Sequence, residues 1–214
     1  MDYLLQTTAY LFEGAVVSLT IFLVTIVGSF PSSLFLVTLY KRRVWLQKVI
    51  SVYTWLFRGT PLMLQLFFFM YFLPSVGIMV DRMMVAYITF ILNYTAYFVE
   101  ILRAGVESVP KDQLESASVE GASQLYVFRK VVLPQAIRKE LPTITNETIT
   151  LIKDTSLVTV IAISDLMRGV KEVVSRDFTI SPFVLAAVFY LLISYSIVVL
   201  MRKVEKKVDF MDTV

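Results

Sequence analysis

The chain has neither cysteine nor histidine among its 214 residues. Without cysteine it has no disulfide, no thiolate nucleophile and no thiolate metal ligand. Without histidine it also lacks the commonest general base and metal ligand. No GxxxxGK[ST] phosphate loop occurs, so it does not bind ATP by that route, and no GxSxG marks a serine nucleophile. Neither a catalytic residue nor a metal site is expected. Charge is scarce as well: 17% of residues are charged and 57% hydrophobic, too little polar surface for a soluble domain of this size. No basic residue precedes Lys41, so the positive n-region of a cleavable secretory signal is not expected. The net charge of +3 comes from Lys and Arg clustered between apolar runs, a poor fit to nucleic-acid binding.

What remains is a membrane protein. The hydrophobic pattern predicts an all-α chain with five transmembrane spans forming one membrane domain over residues 1–214, at about 14–40, 49–73, 83–102, 142–164 and 182–201. The first exceeds a roughly 30 Å hydrocarbon core, which predicts tilt or a kink at Pro31. The second carries a polar stripe, Gln47, Ser51 and Thr54, and is interrupted at Arg58-Gly59-Thr60-Pro61, with Thr60 suited to cap the next helix and Pro61 to its first turn. This reads either as a broken span or as an interfacial helix followed by a tilted one.

Several polar residues fall at membrane depth. Asn93, Tyr97 and Glu100 share a helical face, and Asn146, Thr150 and Lys153 form a stripe with Asp154 beside it. Ionisable groups there are costly, so these faces should meet protein or water. Arg168 follows Asp165 by three residues and shares its face if the helix continues. Such a pair can hold both charges of an amino acid, or the two residues can bind each other. Asp165, Arg168, Asn93, Glu100, Asp154 and Lys153 are the substrate-path candidates.

Between the third and fourth spans, at about 110–136, lies a stretch too polar and too short to cross a bilayer. Pro110 breaks what precedes it, Asp112 with Glu115 reads as a cap with its acidic partner, Gly121 allows a sharp turn, and an apolar-periodic piece runs from Leu125 to Leu133 until Pro134 stops it. Two short helices on an aqueous face suit docking to another protein. Of 20 Lys and Arg residues, 15 fall on the side of this segment in a five-span layout. The positive-inside rule puts that segment and the C-terminus in the cytoplasm, and the N-terminus outside.

Glu115, Ala117, Gly121, Val131, Leu133 and Pro134 resemble the glutamate-alanine-alanine loop of permease subunits in ATP-driven, binding-protein-dependent importers, with Ser116 and Val131 as departures. Phe57-Arg58-Gly59-Thr60-Pro61 with Gln65, the run Asn93–Arg103, Leu133-Pro134-Gln135-Ala136, and Lys153-Asp154-Thr155-Ser156-Leu157 are similar to motifs of polar amino-acid ABC permeases, in the family's order. The resemblance implies a type I ABC importer permease in the bacterial cytoplasmic membrane. It also implies coupling through Glu115, Ser116, Ala117, Gly121, Val131, Leu133 and Pro134. The implied partners are two ATPase subunits that carry the ATP and magnesium, a second permease (a copy or a related chain), an extracytoplasmic amino-acid-binding protein and membrane lipid. An ion-gradient-driven transporter or channel would also place Glu100, Lys153 and Asp154 in the membrane, but needs no docking segment, and no inverted repeat is visible.

Overall fold

The computed structural model describes residues 2–40, 43–110, 113, 121 and 123–210. Its elements are α1 (Asp2–Tyr40), α2 (Val44–Gly59), α3 (Leu62–Ser75), α4 (Arg82–Glu107), α5 (Gln124–Val127), a π turn (Phe128–Val132), α6 (Leu133–Asp154), a 3-10 helix (Thr155–Ile161), α7 (Leu166–Asp177) and α8 (Ser181–Phe210). The described residues include no strand.

Long apolar α1 starts 12 residues before the expected Gly14 and continues through Pro31. Several of its hydroxyl side chains bond back along the helix: Ser18 to Gly14 O, Thr25 to Ile21 O and Ser32 to Gly28 O. The most buried element is α4, where Val85, Ala86, Phe90, Tyr94, Phe98, Val99 and Leu102 are almost fully enclosed by α1, α2, α3 and α6. Asp81 starts it by accepting the Met84 amide at 2.7 Å. Among the described residues three helices, α1, α4 and α8, are each long and apolar enough to cross a membrane. The α2–α3 pair passes the same test jointly, with a bend of 106°.

Three local expectations need correction. Thr60 does not cap α3; its hydroxyl turns back to Leu56 O at 2.9 Å and closes the end of α2, while Pro61 occupies the cap position. Pro134 does not stop a helix. Helical turns continue through it, and the wide π turn directly before it carries the chain from α5 into α6. Nor is 142–164 one helix: α6 begins nine residues earlier at Leu133 and ends at Asp154. The chain then tightens into the 3-10 helix, turns at left-handed Ala162 (φ 61°) and restarts as α7.

That restart builds a second, smaller core. Leu11 and Ala15 of α1 pack on Leu166 and Val170 of α7 and on Ala186 of α8. Gly14 permits the approach, since a Cβ there would lie 2.7 Å from the Asp165 carbonyl oxygen. The Leu166 amide donates to Ser18 Oγ across the same seam at 3.4 Å.

Candidate functional site

The bend between α2 and α3 faces α4, and two amides hold it. Gln65 Nε2 donates to Phe57 O at 2.8 Å and to Thr60 Oγ1 at 2.8 Å. Asn93 Nδ2 of α4 donates to Phe57 O at 3.1 Å and to Gln65 Oε1 at 3.0 Å. A helix end leaves carbonyls unpaired, and these two side chains satisfy them where water is excluded. Asn93 is therefore buried, at 3% exposure, and bolts the bend. Asn93→Leu should lower stability by about 1–3 kcal/mol, the cost of buried groups left unpaired. Thermal unfolding of the detergent-solubilised protein measures this, and an unchanged midpoint would show that the bend holds without the bolt.

Beside the bend lies a group of charged side chains. Glu100 of α4 accepts from Thr54 Oγ1 at 2.8 Å and from Arg103 at 2.6 and 3.1 Å. Arg103 also reaches Glu107 at 2.9 Å. The Arg58 guanidinium lies 3.6 Å from Glu100 and 5.4 Å from the centre of the Tyr97 ring. Across from it, α6 carries Glu147 and Asp154 seven residues apart, two turns along one face. Like charges on one face disfavour each other. Asp154 accepts the Tyr94 hydroxyl hydrogen bond at 2.8 Å and is also attracted by Lys153. Asn146 and Lys153 are exposed, and Thr150 is half-buried. The sequence candidates Glu100, Asp154 and Lys153 thus belong to one polar face formed by α2, α4 and α6. Glu147, which the sequence reading passed over, belongs to it too; its spacing from Asp154 was the available signal.

Asp165 and Arg168 lie elsewhere and do not pair. Asp165 is 1% exposed and caps α7, accepting the Met167 and Arg168 amides at 3.0 and 3.1 Å and the Thr159 hydroxyl at 2.6 Å. The Arg168 side chain bonds Glu172 at 2.9 Å instead. Tyr10 of α1 also donates to Glu172, and these two partners hold its carboxyl below the usual carboxylate range.

Of the coupling residues, Glu115, Ser116 and Ala117 lie outside the described residues, as does Asp112. Gly121 is exposed and left-handed (φ +81°) with open space around it. Ser123 caps α5 by accepting the Tyr126 amide, and Leu125 and Tyr126 are exposed. Val131, Leu133 and Pro134 are half-buried where the segment runs into α6. Gln135 Nε2 ties α6 to Gln113 Oε1 at 2.8 Å.

Residues 26–210 match the family described as "Binding-protein-dependent transport system inner membrane component". The chain belongs to that family. This inner-membrane component is a transport subunit, not an enzyme. It is 37% identical over 166 residues to the L-cystine transport system permease protein of Bacillus subtilis, covering 77% of this chain and 71% of that one. With the arginine transport system permease protein of the same organism it shares 32% identity, over 95% of this chain and 94% of the relative. Among solved structures, a chain from a crystal structure of an amino acid ABC transporter with histidines superimposes with a TM-score of 0.86 at 26% identity. That match covers 96% of this chain and 97% of the other. The methionine ABC transporter in inward-facing conformations gives 0.71 at 15% identity, covering 97% of this chain and 98% of that one, a likeness of fold.

Proposed function

We propose that this inner-membrane component is the permease subunit of an ATP-binding-cassette importer and forms the translocation path for a polar amino acid. The observation that carries the reading is the polar face of α6. Asn146 and Lys153 are exposed beside half-buried Glu147 and Asp154. Such a surface at membrane depth needs water or a second subunit against it. With Tyr94, Tyr97, Glu100 and Arg58 nearby, the face offers both signs of charge to a zwitterion. Glu147 and Asp154 take the ammonium end.

In this reading there are five spans, with α2 and α3 together as the second and α6 with the 3-10 helix as the fourth. The N-terminus lies outside and the C-terminus in the cytoplasm. The loop of about 110–136 docks on an ATPase through Glu115, Ser116, Ala117, Gly121, Val131, Leu133 and Pro134. Two ATPase subunits bind ATP and magnesium, a second permease completes the path, lipid surrounds it, and an extracytoplasmic binding protein delivers substrate. The α8 helix supports pairing, being the least buried of the apolar helices. ATP binding favours the outward-open state only through contacts that differ between the two states, and the docking loop supplies them.

The test is ATP hydrolysis by the reconstituted permease–ATPase complex with amino-acid-loaded binding protein. Stimulation by one loaded protein, with uptake reduced about tenfold or more in Glu147→Gln, is the expected result. Uptake that follows an ion gradient without ATPase association would replace this reading with a secondary transporter.

A further inference from the structure

An apolar groove of about 760 Å³ lies where the last turns of α1 and the first turns of α2 meet α4. Pro31 and Phe35 of α1, Val49 and Ile50 of α2 and Ile91 of α4 form its walls, and Phe35 and Val49 are exposed. Ser32, Tyr53 and Thr95 also line it, but their hydroxyl hydrogens are spent on the carbonyls of Gly28, Leu92 and Ser29. The groove therefore offers hydrocarbon contact and no free hydroxyl donor. Its volume is that of a small-molecule site, and an apolar surface of this kind inside a bilayer is covered by chains, not by water.

Charge marks one end of it. The lining positions of α1 and α2 fall within the last ten residues of the first helix and the first ten of the second, so the groove runs up to the connection between them. Arg43 ends that connection, after Lys41 and Arg42 in the sequence. Arg43 is exposed and, among the described residues, belongs to no ion pair. The first turn of α2 contains no acidic residue and has no side-chain cap, so its leading amides are unpaired at the positive end of the helix. Exposed Trp45 stands one turn before Val49 on the same face, as aromatic residues do at the headgroup level.

We propose that this groove binds an anionic phospholipid of the cytoplasmic leaflet. One acyl chain lies between α1, α2 and α4, and the phosphate meets Arg43 and the first-turn amides of α2. The choice of leaflet rests on the proposed orientation; the site itself needs only a membrane and stands apart from the importer reading. Chain and charge contribute separately. A neutral lipid gains the groove but not Arg43, and a headgroup without a chain meets one exposed cation that water and salt screen. Only a lipid with both is selected. Bound there, it braces the first half of α2, whose far end carries the bend into α3.

The experiment is native mass spectrometry with thermal unfolding of the delipidated, detergent-purified protein and its co-purified subunits. The probes are dioleoylphosphatidylglycerol, dioleoylphosphatidylcholine and glycerol 3-phosphate. Phosphatidylglycerol should bind about tenfold or more tightly than phosphatidylcholine, and glycerol 3-phosphate should give no stabilisation. Arg43→Gln should lower the preference between the two lipids roughly fivefold. Lys171→Gln, on α7 at the opposite end of α1, should leave it unchanged. Val49→Trp replaces an exposed side chain, so the fold tolerates it, and by filling the groove it should weaken both lipids several-fold. Equal binding of the two lipids, or a preference kept in Arg43→Gln, would overturn the charged end of the site. Undiminished lipid binding in Val49→Trp would place the chain elsewhere and overturn the groove. Release of a protein subunit from that variant, with lipid binding unchanged, would make the groove a subunit contact instead. Stimulation of ATP hydrolysis by loaded binding protein judges the importer reading separately in the same preparations.

Discussion

Replacing Gly121 with valine should reduce ATP hydrolysis stimulated by loaded binding protein about tenfold or more, while the subunit still inserts and folds. At φ +81° the residue lies in the left-handed region, and nothing lies within 4 Å of a Cβ built there. The whole penalty is therefore backbone strain, about 1–2 kcal/mol for an L-residue and more for a β-branched one. Strain of that size shifts a local equilibrium by roughly 5- to 30-fold, enough to reorient an exposed turn. Gly121→Asn supplies the control, since asparagine tolerates this conformation and should keep most of the stimulation. Unchanged stimulation in the valine variant would show that the turn at Gly121 does not set the docking geometry.

Asp165→Ala should destabilise the seam between α1 and α7 by about 2–5 kcal/mol. Loss of the cap accounts for about 1–2 kcal/mol and the unpaired Thr159 hydroxyl for about 1–3 kcal/mol. The carboxylate is buried and holds the start of α7 against Gly14 and Ser18 of α1. Asp165→Asn keeps an acceptor for the cap and should retain most of the stability. Measured by thermal unfolding beside uptake, the alanine variant should lose both in parallel. Full stability with a selective fall in uptake would return Asp165 to the substrate path.

Gly121 and Asp165 differ in how much of their role sequence alone reveals. Gly121 was legible because a glycine between two helix signals has a local cause. The role of Asp165 is hidden in the sequence because Thr159 bonds its carboxylate, and Gly14 packs on its backbone, only once α6 has ended and α7 has folded back on α1. The cap signal is present, an aspartate followed by apolar residues at Leu166, Val170 and Val173, but the spacing to Arg168 equally suggests a charge pair just past the span at 142–164. Asn93 is similar: its polarity at membrane depth marked it out, yet its role follows from a helix end on another element. The apolar runs of α1, α4 and α8 are plain, whereas the stretch read as a span at 142–164 divides into α6, a 3-10 helix and a turn, and α6 is not among the helices apolar enough to cross a membrane. Its polarity was nevertheless the clue to the face it shares with Arg58 and Glu100.

The π turn at Phe128–Val132 has a geometric effect that no side chain supplies. A π turn holds one residue more than an α turn, and each residue of an α-helix advances about 100° around the axis. It therefore sets the compass bearing at which α5 leaves the rod of α6, independently of what the loop beyond it contains. A relative whose turn held one residue fewer would send the same loop off in a different direction.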